Sequence, residues 1–314
     1  MSSPGAAALI ALTLMLSAPA PGRAQPVPAN GEFSGLVEVD GRRLFLECQG
    51  SGRPVVVLIS GYRNTAEIWT VQGEPGQTMV MPAVASFTRV CAYDRPGTIL
   101  DATLRSKSDP VAMPRTADAI VAELHGLLEA ARLAPPYVLV AHSLGGLFAR
   151  LYASTYADEV AGLVLVDAWP EALPALLGPD QWAAYEELAR PAPPGLESYP
   201  DLEMVDFGAA SDRMRQAAAA TPLRDVPLFV LSRAKPVALP PDVPASFSPT
   251  VFEQAWRLGQ NGLAALLPGA RHTIATESDH YIQVEQPGLV VGAARDVVEA
   301  VRDPASWRNP TSSQ

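Results

Sequence analysis

The chain has 314 residues, of which 48% are hydrophobic and 18% charged. That balance excludes a disordered protein and leaves room for a substantial buried core, in one large domain or two. A formal charge of −10 argues against nucleic acid or an anionic membrane surface as partner, and neither of the two cysteines, Cys48 and Cys91, belongs to a metal-ligand spacing.

At the amino end, Ala6 to Ser17 is an apolar run of signal-core length, followed by proline- and alanine-rich residues with small side chains at Gly22 and Ala24. It reads as an export signal covering residues 1–24, cleaved after Ala24, although no Lys or Arg precedes the run. The alternative is a retained anchor, for which the run is short; no later segment is a credible membrane span. Export predicts a secreted or periplasmic protein. There the two cysteines are compatible with one disulfide or with two inert buried thiols.

Next, Leu36–Val39 and Arg43–Cys48 alternate as strands do, joined by Asp40-Gly41, a strong hairpin signal. Val55–Ile59 is a continuous apolar run, expected of a strand buried on both faces, and it leads into Ser60, Gly61 and Tyr62. Val90–Tyr93 is another short strand, ending at Asp94, Arg95, Pro96 and Gly97. The spacing of Ile120, Leu124, Leu127 and Leu128 predicts a helix from about Thr116 to Arg132. Tyr137–Val140 then reads as a buried strand running through the turn at His142, Ser143 and Leu144 into a helix over Gly145–Tyr156. A strand at Gly162–Val166 ends at Asp167. Residues 168–225 are too many for a simple connection; they hold helical pieces near Gln181–Leu188 and Ser211–Ala219, separated by a proline-rich stretch from Pro191 to Gly195. Pro227–Leu231 is one more buried strand, Thr250–Leu267 a helix and Arg271–Ala275 the last strand, while Asp303 onward reads as a loose tail.

Two antiparallel opening strands followed by alternating helices and buried strands predict an α/β fold, an open and mostly parallel sheet with helices on both faces. In such a sheet a serine at a strand–turn–helix apex stands clear of the sheet, with the first helical amides facing whatever its hydroxyl attacks. The sharp turn favours small residues two before and two after the serine. Here they are Ala141 and Gly145, so the pattern is A-H-S-L-G where G-x-S-x-G is usual.

Taken together, the turn Ser60–Tyr62, the Asp94–Gly97 stretch, the A-H-S-L-G elbow and the Asp279–Pro287 stretch resemble the α/β-hydrolase family from about Leu36 to Arg302. The resemblance implies an eight-stranded, mostly parallel sheet flanked by helices. It divides the chain into a first core part (25–168), a helical cap or lid inserted after strand six (169–225), a second core part (226–302) and a flexible tail (303–314). Ser143 is then the nucleophile and needs a base. Of the four histidines, His142 adjoins the serine, His125 lies within a helix and His272 falls in or beside the last strand. His280 occupies the loop in which the family keeps its base. The orienting acid usually follows the strand seen here as Pro227–Leu231, but Ser232–Pro236 contains none and the first one downstream is Asp242. Asp167, at the end of the preceding strand, is preferred over Asp242 on placement.

The resemblance assigns the oxyanion donors to the backbone amides of Tyr62 and Leu144. Tyr62 and Trp69 are candidates to line the acyl pocket or are simply packing aromatics. Asp94 and Arg95 read as a structural pair, and Glu253 and Trp256 on the late helix are given no larger role. By the same resemblance the second strand lies antiparallel to the fourth, which favours a Cys48–Cys91 disulfide. The implied function is an exported serine hydrolase acting on a small-molecule carboxylic ester without metal or organic cofactor. Amidase, lactonase, thioesterase or cofactor-free perhydrolase activity would share the apparatus, and a non-catalytic binding protein that keeps the fold is the rival.

Overall fold

The computed structural model describes residues 27–193, 195–239 and 243–308, and within them eight strands form one sheet. The apolar run Ala6 to Ser17, the site after Ala24 and Asp242 lie outside the described residues. The strands are β1 (Phe33–Val39), β2 (Arg42–Gln49), β3 (Val55–Ile59), β4 (Val90–Tyr93), β5 (Tyr137–His142), β6 (Val160–Val166), β7 (Leu228–Arg233) and β8 (Arg271–Ala275). Their order across the sheet is β1-β2-β4-β3-β5-β6-β7-β8. The pairs β1–β2 and β2–β4 are antiparallel and all the others parallel. From β3 the chain first steps outward to β4 and then returns to β5 on β3's other side. The crevice beyond the carboxyl ends of β3 and β5 is therefore the switch point at which such sheets bind ligands.

The central strands are apolar throughout because both faces are covered. Val57, Ile59, Leu139, Ala141, Leu163 and Leu165 point into one hydrophobic cluster, and Val56, Leu58, Val138, Val140, Val164 and Val166 into the other. The first layer includes α2 (Ala117–Ala130) and α3 (Leu144–Thr155), whereas α1 (Val80–Ala85) packs in the second. Thr116 caps α2 by accepting a bond from the Ala119 amide.

Between β6 and β7 run α4 (Leu173–Ala189) and α5 (Phe207–Ala220), lying against α6 (Pro249–Ala264) and α3 respectively. Helix α4 begins well before the expected Gln181. Gly178 (φ 73°) and Pro179 kink it without ending it. At the carboxyl end, α7 (Ile282–Glu285) leads into α8 (Pro287–Arg302), a helix not anticipated from the sequence. Val290, Ala293, Ala294, Val297 and Val298 bury one face of α8 in the second layer.

The expected loose tail is corrected in part. Pro304–Arg308 forms α9, held where the Arg271 guanidinium stacks 4.0 Å from the Trp307 ring and donates to the Trp307 carbonyl at 3.1 Å. Cys48 and Cys91 stand directly opposite each other in the antiparallel β2–β4 ladder and are joined by a disulfide. No helix among the described residues is long and apolar enough to cross a membrane.

Candidate active site

Ser143 sits between β5 and α3 with φ 52° and ψ −127°, a backbone conformation that costs an L-residue about 1–3 kcal/mol and must be imposed by its surroundings. Its amide donates to the Val166 carbonyl at 3.1 Å, and its carbonyl accepts from Gly146 at 2.9 Å and from Trp169 at 2.8 Å. The backbone is thus fixed while the hydroxyl stays uncommitted to capping α3. Gly145 is obligatory, because a Cβ there would fall 2.5 Å from the carbonyl oxygens of Ile59 and Ser60. Ala141 is accommodated in the ladder between Ile59 and Leu165. Gly146 is needed for another neighbour: a Cβ there would lie 2.3 Å from the Ala168 side chain beyond β6.

From the loop after β8, His280 reaches both Ser143 and Asp167. Its Nδ1 lies 2.6 Å from Asp167 Oδ2 and its Nε2 lies 2.9 Å from Ser143 Oγ. An ionised carboxylate only accepts, so Nδ1 carries the proton and Nε2 accepts from the serine hydroxyl. Asp167 is fully buried at the end of β6. Burial pushes its carboxyl up, yet the His280 hydrogen bond and charge, the Arg233 charge and the Trp256 hydrogen bond together hold it below the ordinary carboxylate value. Trp256 Nε1 donates to Oδ1 at 2.9 Å, the Arg233 amide donates to Oδ1 at 3.3 Å, and the Arg233 guanidinium lies 3.5 Å from Oδ2.

Trp256 and Arg233 therefore touch the candidate acid, and neither was given this place by the sequence. Arg233 falls in the stretch after Leu231 that contains no acid, and Glu253 holds its guanidinium from α6 at 2.8 Å. The one signal available was the absence of an acid in Ser232–Pro236. It frees that strand end to supply a cation to the neighbouring Asp167.

The other histidines lie elsewhere or act differently. His125 stacks on Tyr156, and His272 Nε2 meets Ser232 Oγ at 2.8 Å. His142 is buried beside the site, with its Nε2 2.8 Å from the His280 carbonyl. That carbonyl can only accept, so Nε2 carries the proton and holds the loop of the candidate base. Burial, with the charge of His280, pushes the His142 ring down to about 3.

Across the crevice, the turn Ser60–Tyr62 presses on the elbow. A Cβ on Gly61 would lie 2.7 Å from His142 Nδ1 and 3.0 Å from Ser143 Cβ. Ser60 donates to the Thr65 carbonyl and receives Trp69 Nε1, both at 3.0 Å. Trp69 is completely buried in the second layer, so it does not line a substrate pocket; it props the turn from behind.

Arg95, also fully buried, donates to the carbonyls of Ser60 at 2.8 Å and Gly61 at 2.6 Å. Its Nε meets Glu203 Oε1 at 2.6 Å, and Glu203 Oε2 takes the Arg63 amide at 2.7 Å. Glu203, which the sequence did not single out, thus ties the segment between β6 and β7 to the turn. Beside Arg95, the Asp94 carboxyl is pushed up to about 6 by burial.

A cavity of about 750 Å³ opens above Ser143. Tyr62 and Leu144 lie on its walls with Ser143 and His280, and the segment between β6 and β7 contributes Tyr185, Leu188 and Phe207. Leu144 is the first residue of α3, so its amide has no partner within the helix. Among the described residues no group of three or more His, Cys, Asp or Glu side chains could hold a metal ion.

A family model described as the alpha/beta hydrolase fold matches residues 54–298. The uncharacterized protein YqjL of Bacillus subtilis (strain 168) is 34% identical over 119 residues, which are 38% of this chain and 41% of YqjL, so the match spans less than half of that relative. Among solved structures, Cfl2 from Burkholderia cenocepacia superposes with a TM-score of 0.60 at 22% identity, covering 88% of this chain and 99% of Cfl2. Carboxylesterase CesB (YbfK) from Bacillus subtilis gives a TM-score of 0.53 at 16% identity, covering 85% and 91%. At these identities the structural likeness is one of fold.

Proposed function

We propose that this chain, which belongs to the alpha/beta hydrolase family, is an exported serine hydrolase that cleaves carboxylic esters through an acyl-enzyme. The observation that carries the reading is the unbroken chain of contacts from Ser143 through His280 to Asp167. Ser143 Oγ attacks the ester carbonyl as His280 Nε2 takes its proton. The imidazolium formed is stabilised by the Asp167 carboxylate. The amides of Tyr62 and Leu144 receive the oxyanion of the tetrahedral intermediate. His280 then delivers the proton to the departing alkoxide, leaving the acyl group on Ser143. Water attacks that acyl-enzyme with His280 again as base, which releases the acid and restores the serine. Residues 169–225 act as the cap that shapes the substrate cavity.

Export is supported by the apolar run Ala6 to Ser17 and by the disulfide, a bond that persists in oxidising compartments. Haloalkane and epoxide hydrolysis on this fold use an aspartate nucleophile, which Ser143 does not supply. Amides, lactones and thioesters present the same kind of carbonyl, and peracid formation uses the same apparatus; these remain within reach of the mechanism. A non-catalytic binding protein is the contrasting reading. Treating the folded protein with a fluorophosphonate and mapping the adduct by mass spectrometry separates them. Stoichiometric modification of Ser143 is expected, and an unmodified Ser143 would overturn the hydrolase reading.

A further inference from the structure

Ser143 lies at the meeting point of two cavities of different size and character. The larger, about 750 Å³, has Arg63, Asn64 and Glu187 on its walls beside the aromatic side chains. The smaller, about 210 Å³, lies toward β7 and α6 and is walled by Val237, Leu239, Phe247, Phe252 and Trp256, and it is also bordered by Arg233, whose guanidinium is already engaged by Asp167 and Glu253. Ser143, His280, Trp169 and Tyr185 border both, so the two lobes meet at the reacting hydroxyl. The aromatic wall is a packed unit. Phe252 lies 5.7 Å from both Phe247 and Trp256 and stacks on Tyr185 at 5.5 Å, centroid to centroid. Trp256 is further fixed by its bond to Asp167. Trp256 therefore cannot withdraw from this wall without disturbing the candidate acid, and Phe252 packs against it.

Size limits its occupant. An apolar cavity of about 150 Å³ already accepts a benzene molecule, whereas drug-sized ligands occupy about 300–1,000 Å³. The small lobe thus has room for one ring or a short branched chain and not for two fused rings. The chemistry of its wall favours an apolar occupant, because a polar group placed there without a partner loses its hydration. The amides assigned to the oxyanion belong to Tyr62 and Leu144, which border the large lobe alone. An ester bound with its carbonyl oxygen toward them has room to extend one substituent into the small lobe and the other along the large one.

Resting on the serine-hydrolase reading, we infer that the substrate is an unsymmetrical ester. It carries a compact apolar group, the size of a single aromatic ring, on one side of the scissile bond and a longer, more polar group on the other. The occupancy of the small lobe is a specificity determinant, and Val237, on the loop after β7, and Phe252, on α6, set its volume.

Two matched ester sets test this, one varying the acyl group and one the alcohol. In each set one side is a short oligo(ethylene glycol) chain and the other is phenyl-sized or biphenyl-sized. Rates are normalised to the fraction of Ser143 labelled by a small fluorophosphonate, so that misfolded protein does not count. The phenyl-sized ester of one set is expected to exceed its biphenyl counterpart about tenfold or more in kcat/KM. Val237→Phe should lower kcat/KM for that phenyl ester about tenfold, and Phe252→Leu should narrow the gap between phenyl and biphenyl. Equal rates for phenyl and biphenyl in both sets, or no change of preference in either variant while Ser143 still labels, would overturn the inference and leave the hydrolase reading intact. Loss of labelling in the unaltered protein would instead overturn both.

Discussion

Asp167 is buried with no exposed surface, a position whose desolvation ordinarily costs a carboxylate several kcal/mol. The donors from His280, Trp256 and Arg233 offset that cost and keep it ionised. Asp167→Asn preserves the shape but offers an amide to His280 and disturbs the tautomer. A loss of about 10⁴-fold in kcat is expected, by analogy with the same change in another triad, while a rate within tenfold of the parent would exclude Asp167 as the orienting acid.

His142 makes a separate prediction. Its ordinary pKa near 6.5 falls to about 3 in the folded protein, chiefly through burial, so between those values the unfolded chain binds more protons than the folded one. Stability therefore rises with pH in that window and is lost on acidification from about 6.5 toward 3, by several kcal/mol at the acid end. Asp94, raised to about 6, works in the opposite direction between about pH 4 and 6. For that reason the test is a comparison. Urea midpoints of His142→Gln, whose amide can still donate to the His280 carbonyl, should rise less, or fall more, with increasing pH across this window than those of the parent. Equal slopes would refute the assignment. The placement of Ser143 and His280 was legible because a strand–turn–helix apex and a loop after the last strand are local features. The support from Trp256 was not, because it lies 89 residues from its acceptor and on its own helix resembles any core aromatic.

The turn that carries the Tyr62 amide is a short element with no ladder of its own, and its carbonyls point at Arg95. Burial alone would disfavour the Arg95 charge, but Glu203 more than compensates and holds it protonated. Removing one partner of such a pair strands the other and costs about 3–5 kcal/mol, so a single substitution would confound stability with catalysis. Replacing both by apolar residues avoids this. The double variant Arg95→Met/Glu203→Leu strands no charge, but it leaves the Ser60 and Gly61 carbonyls and the Arg63 amide without these partners, so it should melt several degrees below the parent while remaining folded at 25 °C. It should nevertheless lose at least about tenfold in kcat with a smaller change in KM, because the Tyr62 amide proposed to receive the oxyanion is no longer held in place; complete loss of one such donor costs about 100- to 1,000-fold. Full kcat in a folded double variant would show that the clamp does not position the turn. Val55–Ile59 and Val90–Tyr93 could be read from sequence to the residue, since strands buried on both faces are uninterrupted apolar runs. Helix α8 escaped although its two faces are well contrasted, because Pro287 and Gly288 at its start and Gly292 within it read as turn residues.

Across the whole molecule, the antiparallel placing of the second strand beside the fourth was the one part of the strand order that followed from the family resemblance, since alternation along one strand does not reveal its neighbours. The pairing of Cys48 with Cys91 followed from that order and not from their spacing. Their bond fixes β2 to β4 on the antiparallel side of the sheet, with β3 between β4 and the β5 elbow. Its contribution is global. It shortens the unfolded chain's reach by tying residues 43 apart, worth about 4 kcal/mol in the loop-entropy treatment. In a chain of this size that corresponds to a fall of roughly 5–10 °C in melting temperature on reduction. Nothing in the site depends on either sulfur, so the reduced protein should hydrolyse at 25 °C at a rate near that of the oxidised form. The two forms should separate only on heating, when the reduced chain loses activity first. Parallel loss of activity on reduction at 25 °C would mean that the β2–β4 edge also governs the elbow, and an unchanged melting temperature would mean that packing alone already holds the two strands together.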